Sequence, residues 1–577
     1  MKPFYEFRKF CVIILAGMLI FSLSGCSGNG NDGQVQSDQI SDQIEGYPID
    51  SNVYTTLDRA VEPDPVPSAS PGINVYDVSQ YQQYGYGNWH FNQQGISREK
   101  RPDIMLSGYT GESTVNLRKL LNFFTISDIH ITDKETGAQL IYWGGIDGVS
   151  SMYSAVMLYT TQVLDSAVQT LNVLNQRNTF DFGISLGDTC NSTEYNELRW
   201  YLDVIDGQII NPDSGAKDDP VPGPYNDYQD VYKAAGLDKS IRWYQTMGNH
   251  DHFWIGSNPV TDYLRQFYTG VDILNMGNVI IDPLGVNSRG YYMGCIDGRT
   301  VYGDVYGAGP VADFPTPPTI LAADPDRRPI TRNEWINEFF NTTTSPVGHG
   351  FNQTNVETGF ACYSFEPKSN IPLKMIVLDD TMGDNDPNVG GYGHADLDEE
   401  RYNWLVNELD EGQNNNKLMI IAMHCPIGVE PVGSPVGWST TAFVTESDLI
   451  AKLHTYPNLM MIIAGHRHVN AVTPFISPDA SHPELGFWQI ETPSLRDYPQ
   501  QPRTFEIFVN NDKTISIFAT DVDTAVKEGS LAAISRSYAV AAQEFFNNPI
   551  GYLPYGSYNC ELYKQLTPEM QAVVSRL

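Results

Sequence analysis

Five apolar, strand-like runs in this chain each end in residues of the types that can bind metal ions. Leu121 to Ile126 leads into Asp128-Ile129-His130, Phe182 to Leu186 into Gly187-Asp188, and Trp243 to Met247 into Gly248-Asn249-His250-Asp251. Leu418 to Met423 leads into His424, and Met460 to Ala464 into Gly465-His466-Arg467-His468. Side chains placed at strand ends meet in space, so the runs predict a fold whose strand termini converge on one site. Helical periodicity separates them: Val156, Val163, Leu164, Ala167, Val168, Leu171 and Leu174 within 151–178, then Tyr402, Leu405, Val406 and Leu409 within 397–409. Lys374 to Leu378 reads as a further buried strand ending at Asp379-Asp380, and Thr504 to Asp521 as a hairpin turning at Asn510-Asn511-Asp512. Strand and helix in alternation predict an α/β fold.

The donors at these ends are the imidazoles of His130, His424, His466 and His468, the carboxylates of Asp128 and Asp188, and the amide oxygen of Asn249. A mixed nitrogen and oxygen set without thiolate suits zinc, manganese or iron better than calcium or a cysteine-bound structural zinc. Asp128 with His130, and His466 with His468, are spaced so that extended backbone projects each pair to one side, where it can close on an ion. One carboxylate can bridge two ions, so seven residues suffice for two sites with positions left open for water and substrate.

In this order, DxH, GD, GNHD, H and GHxH resemble the signature of the calcineurin-like metallophosphoesterase superfamily over residues 118–525. The resemblance implies an α/β fold of two packed β-sheets flanked by helices, a four-layer sandwich with a dinuclear centre at the strand ends. It assigns Asp128, His130, Asp188 and His468 to the first of two divalent or trivalent ions (Mn, Fe or Zn). The second falls to Asp188 as the bridge with Asn249, His424 and His466. His250 would face the substrate as a proton donor, positioned by Asp251. Purple acid phosphatases, a subgroup, carry tyrosine three residues after the bridging aspartate; Asn191 stands there in this chain. The implied activity is hydrolysis of small phosphomonoesters or phosphodiesters. A 5′-nucleotidase is the alternative within enzymes, although the stretch after His468 is shorter than the separate substrate-binding domain such nucleotidases usually carry. The alternative outside enzymes is a lipoprotein that holds metal structurally and binds a ligand; His250 and Asp251 argue against it, since neither is needed to hold metal.

Residues 1–25 combine basic Lys2, Arg8 and Lys9 with the apolar stretch Cys11 to Phe21, and Leu23-Ser24-Gly25-Cys26 resembles a bacterial lipobox. The expectation is a lipoprotein signal peptide, a lipid on Cys26 that tethers the protein to a membrane of the bacterial cell envelope, and a flexible tether over 26–50. The net charge of −34 disfavours nucleic acid as a partner. A small phosphorylated substrate remains compatible, because bound divalent ions invert the local potential.

The remaining organisation is an N-terminal extension (51–117), the main domain (118–525) with a long insertion over about 255–370, and a helical C-terminal extension (526–577). The insertion carries the capping box Thr331-x-x-Glu334 and reads as a cap beside the metals that selects substrate. His252 and His394 read as surface or loop histidines. Beyond Cys11 and Cys26, five cysteines remain: Cys190 and Cys425 as small buried residues beside presumed ligands, Cys295 and Cys362 as a conceivable bridge, and Cys560.

Overall fold

The computed structural model describes residues 46–577 except 68–69, 71, 148, 217, 222, 224–225, 278–288, 384–392 and 547–557. The expected signal peptide, Cys26 and the tether up to residue 45 lie outside the described residues. The last part of that tether belongs to the body instead: Tyr47 is buried, and the Asp50 amide donates to the Ala525 carbonyl at 2.7 Å.

The fold is α/β, with two large sheets flanked by helices. One sheet has seven strands in the spatial order Glu99–Arg101, Cys560–Lys564, Ile515–Asp521, Arg503–Asn510, Asn116–Ile126, Phe182–Ser185 and Trp243–Gln245. The other has six, in the order Tyr363–Phe365, Leu373–Val377, Leu418–Ala422, Leu459–Ala464, Phe487–Glu491 and Ala471–Phe475. Asn116–Ile126, Phe182–Ser185 and Trp243–Gln245 pair in parallel, as do Leu373–Val377, Leu418–Ala422, Leu459–Ala464 and Phe487–Glu491. Both parallel groups therefore present their carboxyl ends together, where open α/β sheets build their sites.

Alternation along the strands explains the layering. Met375, Val377, Ile420, Ala422, Met461 and Ile463 share one apolar core with Phe123, Phe505 and Ile507 of the seven-stranded sheet. Their neighbours Ile376, Met419, Ile421 and Ile462 pack instead with Leu405 and Leu409 of helix Glu399–Asn414 and with Leu449 and Leu453 of helix Glu446–Leu453. The sheets touch through aromatic rings: Phe182 stacks on Phe123 at 4.8 Å and meets Phe365 of the other sheet edge-on at 5.5 Å. Truncating such a buried ring to alanine costs about 3–5 kcal/mol. Helix Thr160–Arg177 covers the other face of the seven-stranded sheet with Leu164, Ala167, Val168 and Leu171.

Two expectations from sequence are corrected. The C-terminal extension is not wholly helical: it contains helices Leu531–Phe546 and Pro568–Val574, but between them Cys560–Lys564 pairs antiparallel with Ile515–Asp521 and parallel with Glu99–Arg101. Both extensions thus complete the seven-stranded sheet, covering an edge that Ile515–Asp521 would otherwise leave unpaired. Cys295 and Cys362 are not bridged; each is a free, buried thiol.

Candidate metal centre

Each presumed ligand lies in the loop that leaves a strand at its carboxyl end, and backbone hydrogen bonds join these loops within each sheet and, through Leu495 and Ser127, between the two sheets. The His130 amide donates to the Asp188 carbonyl at 3.0 Å, the Gly465 amide to the His424 carbonyl at 2.9 Å, and the Leu495 amide to the Ser127 carbonyl at 3.0 Å. Gly465 is required by this approach, because a Cβ there would sit 1.9 Å from the Ser127 hydroxyl.

The ligands do not project from extended backbone as their spacing suggests. Asp128, His130, Asp188, His466 and His468 are all left-handed, with φ of 50°, 47°, 53°, 70° and 58°. Such conformations cost on the order of 1–3 kcal/mol each for non-glycine residues and persist where the surroundings over-determine them. The surroundings are specific here: the His466 amide donates to both Asp128 carboxylate oxygens (3.1 and 3.0 Å), the Ser127 hydroxyl donates to Asp128 Oδ2 (2.6 Å), and the His250 amide donates to Asp188 Oδ1 (2.8 Å).

That arrangement gathers all seven candidate ligands. Asp128, His130 and His468 form one group able to hold an ion, Asp128, Asp188 and His424 another, His424 and His466 with Cys425 a third, and His130 and Asp188 with His250 a fourth. Asp188 stands between the two halves, its Oδ2 lying 3.6 Å from His130 Nε2 and 3.3 Å from His424 Nε2. Asn249 turns its Oδ1 to His424 Nε2 at 2.9 Å, because its Nδ2 donates to the Gly256 carbonyl at 2.9 Å.

The donor set fits two cations on the geometry of its imidazoles. His468 Nδ1 is bonded to Asp497 Oδ2 at 2.5 Å and His424 Nδ1 to the Leu186 carbonyl at 2.8 Å, which assigns the proton to Nδ1 and leaves each Nε2 to face the centre. His130 Nε2 then opposes His468 Nε2 at 3.2 Å, and His466 Nδ1 opposes His424 Nε2 at 3.2 Å. Facing ring nitrogens at such separations need a proton or a cation near both. In the protein alone, burial pushes His468 and His424 down, but Asp128 and Asp497 for the one, and Asp188, Asp128 and Asp380 for the other, outweigh it and hold both near 10. Burial pushes His466 down to about 3, with His424 adding to the effect. Ions that take these nitrogens must displace the protons, so binding strengthens as pH rises.

His250 is placed differently. It borders the same cavity but its Nδ1 donates to the Asn191 carbonyl at 2.6 Å, leaving Nε2 as its reactive nitrogen. Gly256, at φ 62°, lies flush against the ring; a Cβ there would sit 2.2 Å from its Cδ2. The expected orienting contact from Asp251 is corrected. The Asp251 carboxylate accepts from the amides of Asp188 (3.0 Å), Thr189 (2.8 Å), Cys190 (3.1 Å) and Gly248 (2.8 Å), so it locks the two loops together, and the Asn191 carbonyl orients His250.

The cavity beside the ligands has a volume of about 510 Å³. Among the described residues, the insertion contributes only Ile255 and Ser257 to it, and the other walls come from 149–152, Gly393, Glu430 and 434–436. The described part of the insertion packs Tyr268, Leu274, Met276 and Met293 against Ala138, Leu140, Trp143 and Trp254 of the neighbouring segments. His252 and His394 are buried rather than superficial, and neither lines the cavity; His252 Nε2 bonds the Thr381 hydroxyl at 2.9 Å.

Sequence reading placed Asp380 at a strand end but gave it no part in the site, where it accepts from the His424 amide at 3.1 Å, and it missed Arg496 and Asp497, which follow strand Phe487–Glu491. The strand-end rule that found the ligands would have found these too.

No family model matches this chain, and no curated protein matches it. Among solved structures it is similar to a dimetal phosphatase of Danio rerio, at 12% identity and TM-score 0.36 over 71% of this chain and 100% of that one. It is also similar to the sulfate thiohydrolase SoxB of Thermus thermophilus, at 9% identity and TM-score 0.28 over 74% of this chain and 61% of that one. Likenesses of this size carry no functional weight of their own. The motif order, the two-sheet topology and the arrangement of the site agree with the calcineurin-like resemblance.

Proposed function

We propose that this chain is a dinuclear-metal-dependent hydrolase of phosphate esters, exported and lipid-anchored through Cys26. The observation that carries the reading is the cluster of seven nitrogen and oxygen donors in which Asp188 Oδ2 lies between His130 and His424, with His468, His466 and Asn249 facing those imidazoles, Asp128 beside them and a further histidine, His250, held at the cavity wall by a backbone carbonyl. Asp128, His130, Asp188 and His468 would hold one ion, and Asp188, Asn249, His424 and His466 the other. When bound, the pair supplies neutralisation of phosphoryl charge and activation of water at neutral pH.

The protein's own groups do the rest. His250, its Nδ1–H fixed on the Asn191 carbonyl, presents Nε2 to give a proton to the departing oxygen. Arg467 borders the cavity, but its guanidinium is spent on Glu430 at 2.7 Å and Glu491 at 2.6 Å. The alcohol portion meets Val149, Met152, Ile255, Pro435 and Val436. These walls favour a single phosphoryl group carrying an uncharged, partly apolar alcohol over a nucleoside di- or triphosphate.

A panel of alkyl phosphates, phosphodiesters and nucleotides, given to protein loaded with manganese, iron or zinc, tests the activity; turnover of none of them under any loading would sink it. His250→Ala should keep both ions and lose turnover by a factor on the order of 10²–10⁴ on an alkyl ester. The loss should shrink on a nitrophenyl ester, whose leaving group needs little protonation. For the anchor, which the lipobox-like Leu23-Ser24-Gly25-Cys26 supports, mass spectrometry should find the mature N-terminus at a lipidated Cys26. An unmodified Cys26 in a product cleaved elsewhere would refute it.

A further inference from the structure

Arg496 is 1% exposed, yet among the described residues no carboxylate lies within ion-pairing distance of its guanidinium. The carboxylates of Asp497 and Glu197 act on it only from beyond that distance, and burying a cation without a close counter-charge is costly, so a fold retains one where its hydrogen bonds are needed. Those bonds go to the loops of the candidate site. Nη1 donates to the Asn191 side-chain oxygen, and Nη2 donates to the Ser150 carbonyl at 2.9 Å. Asn191 is the residue whose backbone carbonyl accepts the His250 Nδ1–H, and Ser150 lines the cavity. The next residue completes the set: Asp497 Oδ2 meets His468 Nδ1 at 2.5 Å and accepts from the Ser150 hydroxyl at 3.1 Å.

We propose that Arg496 is a positioning residue for proton transfer: by clamping the Asn191 side chain and the Ser150 carbonyl, it fixes the carbonyl that orients His250 and the cavity wall facing it. The inference rests on the reading of His250 as the proton donor. A guanidinium suits the task because its planar fork reaches two acceptors in fixed directions, which an ammonium group does not reproduce. Asp497 acts in parallel on His468, so this one strand-end segment sets both the wall and a ligand.

The test uses the full chain, with Arg496→Met, Arg496→Lys and Asn191→Ala. The first readout needs no turnover: in the wild type the His250 Nδ1 proton, assigned by its loss in His250→Ala, should give a protected imidazole NMR signal. That signal should broaden or vanish in Arg496→Met and in Asn191→Ala, and survive weakened in Arg496→Lys. The second readout is kinetic. Arg496→Met should lose about 10- to 100-fold on an alkyl phosphate, at retained metal content, but no more than about threefold on a nitrophenyl phosphate. Added to His250→Ala, it should cost little more, since both changes remove the same event. An unchanged His250 signal in Arg496→Met and Asn191→Ala overturns the proposal, as do equal losses on both esters that add to those of His250→Ala. If Arg496→Met does not fold, Asn191→Ala carries both readouts, because it breaks the same link and keeps the arginine. If the metal-loaded wild type turns over no ester, the phosphoesterase reading fails, and the NMR comparison still decides whether Arg496 orients His250.

Discussion

Asp128 and Asp188 face imidazoles at the strand ends, whereas Glu135, Asp213 and Asp218, close to them in sequence order, share their space with an ammonium group. Both sets bring oxygen or nitrogen donors close enough to hold an ion. In the second set the Lys134 ammonium is buried, lies 3.4 Å from the Glu135 carboxylate and donates to the Pro212 carbonyl at 2.5 Å. Gln229 adds two donors, its Nε2 reaching Asp213 Oδ1 at 2.9 Å and Asp218 Oδ1 at 3.0 Å. Positive charge and hydrogen bonds are thus built in. At the strand ends, the groups that balance Asp128 and Asp188 are histidines, which a metal can deprotonate, and two of them, His424 and His468, have the other nitrogen fixed by a partner. A cluster of carboxylates is therefore read as a metal site when its balancing charges can be displaced, and as a structural network when they cannot.

The largest effect expected from this contrast is that of Asp188→Asn. Its Oδ2 lies between both halves of the centre, so loss of its charge should lower metal content from about two equivalents towards none and abolish turnover. Metal analysis showing about two equivalents at unchanged affinity would remove Asp188 as the bridge. A smaller effect is expected one contact further out. Asp497→Asn leaves every ligand in place but removes the carboxylate behind His468, which should weaken binding of one ion about 10–100-fold. Equal weakening of both ions would mean that Asp497 supports the loop as a whole rather than that imidazole.

The strands and candidate ligands were legible because strands buried on both faces read as continuous apolar runs with abrupt polar ends, as in Met460 to Ala464 before Gly465-His466. Their left-handed backbone was not legible, since φ at Asp128 or His468 is imposed by contacts such as the His466 amide on Asp128, which join segments far apart in sequence. Cys560–Lys564 was missed as a strand for a related reason. It is short and of mixed polarity, and only its neighbours Ile515–Asp521 and Glu99–Arg101 make it one. The partner of His250 is a backbone carbonyl, and sequence does not mark which carbonyl faces a given side chain. Residues 149–152 and 434–436 carry no motif, so the cavity walls came from the fold alone.

The smallest effect should come from the second cluster. Glu135→Gln should leave metal stoichiometry unchanged, because that set already has Lys134 as its counter-charge; a loss of about one equivalent would show that it binds an ion after all. Its signature should appear in stability. Burial pushes the Glu135 carboxyl from its ordinary 4.5 up to about 7, against the pull of Lys134 and with the help of Asp133, Asp213 and Asp218. The folded state therefore binds the Glu135 proton more tightly than the unfolded chain does. Its contribution to stability is full below pH 4.5 and declines as pH rises towards about 7. Glutamine cannot titrate, so the stability difference between wild type and Glu135→Gln should shift against the wild type across that window. Urea unfolding of both proteins with a chelator present isolates the effect, since metal and protons then no longer compete at His424 and His468. A difference that stays constant from pH 4.5 to 7 would show that Lys134 keeps Glu135 ionised throughout, making the pair a permanent internal salt bridge.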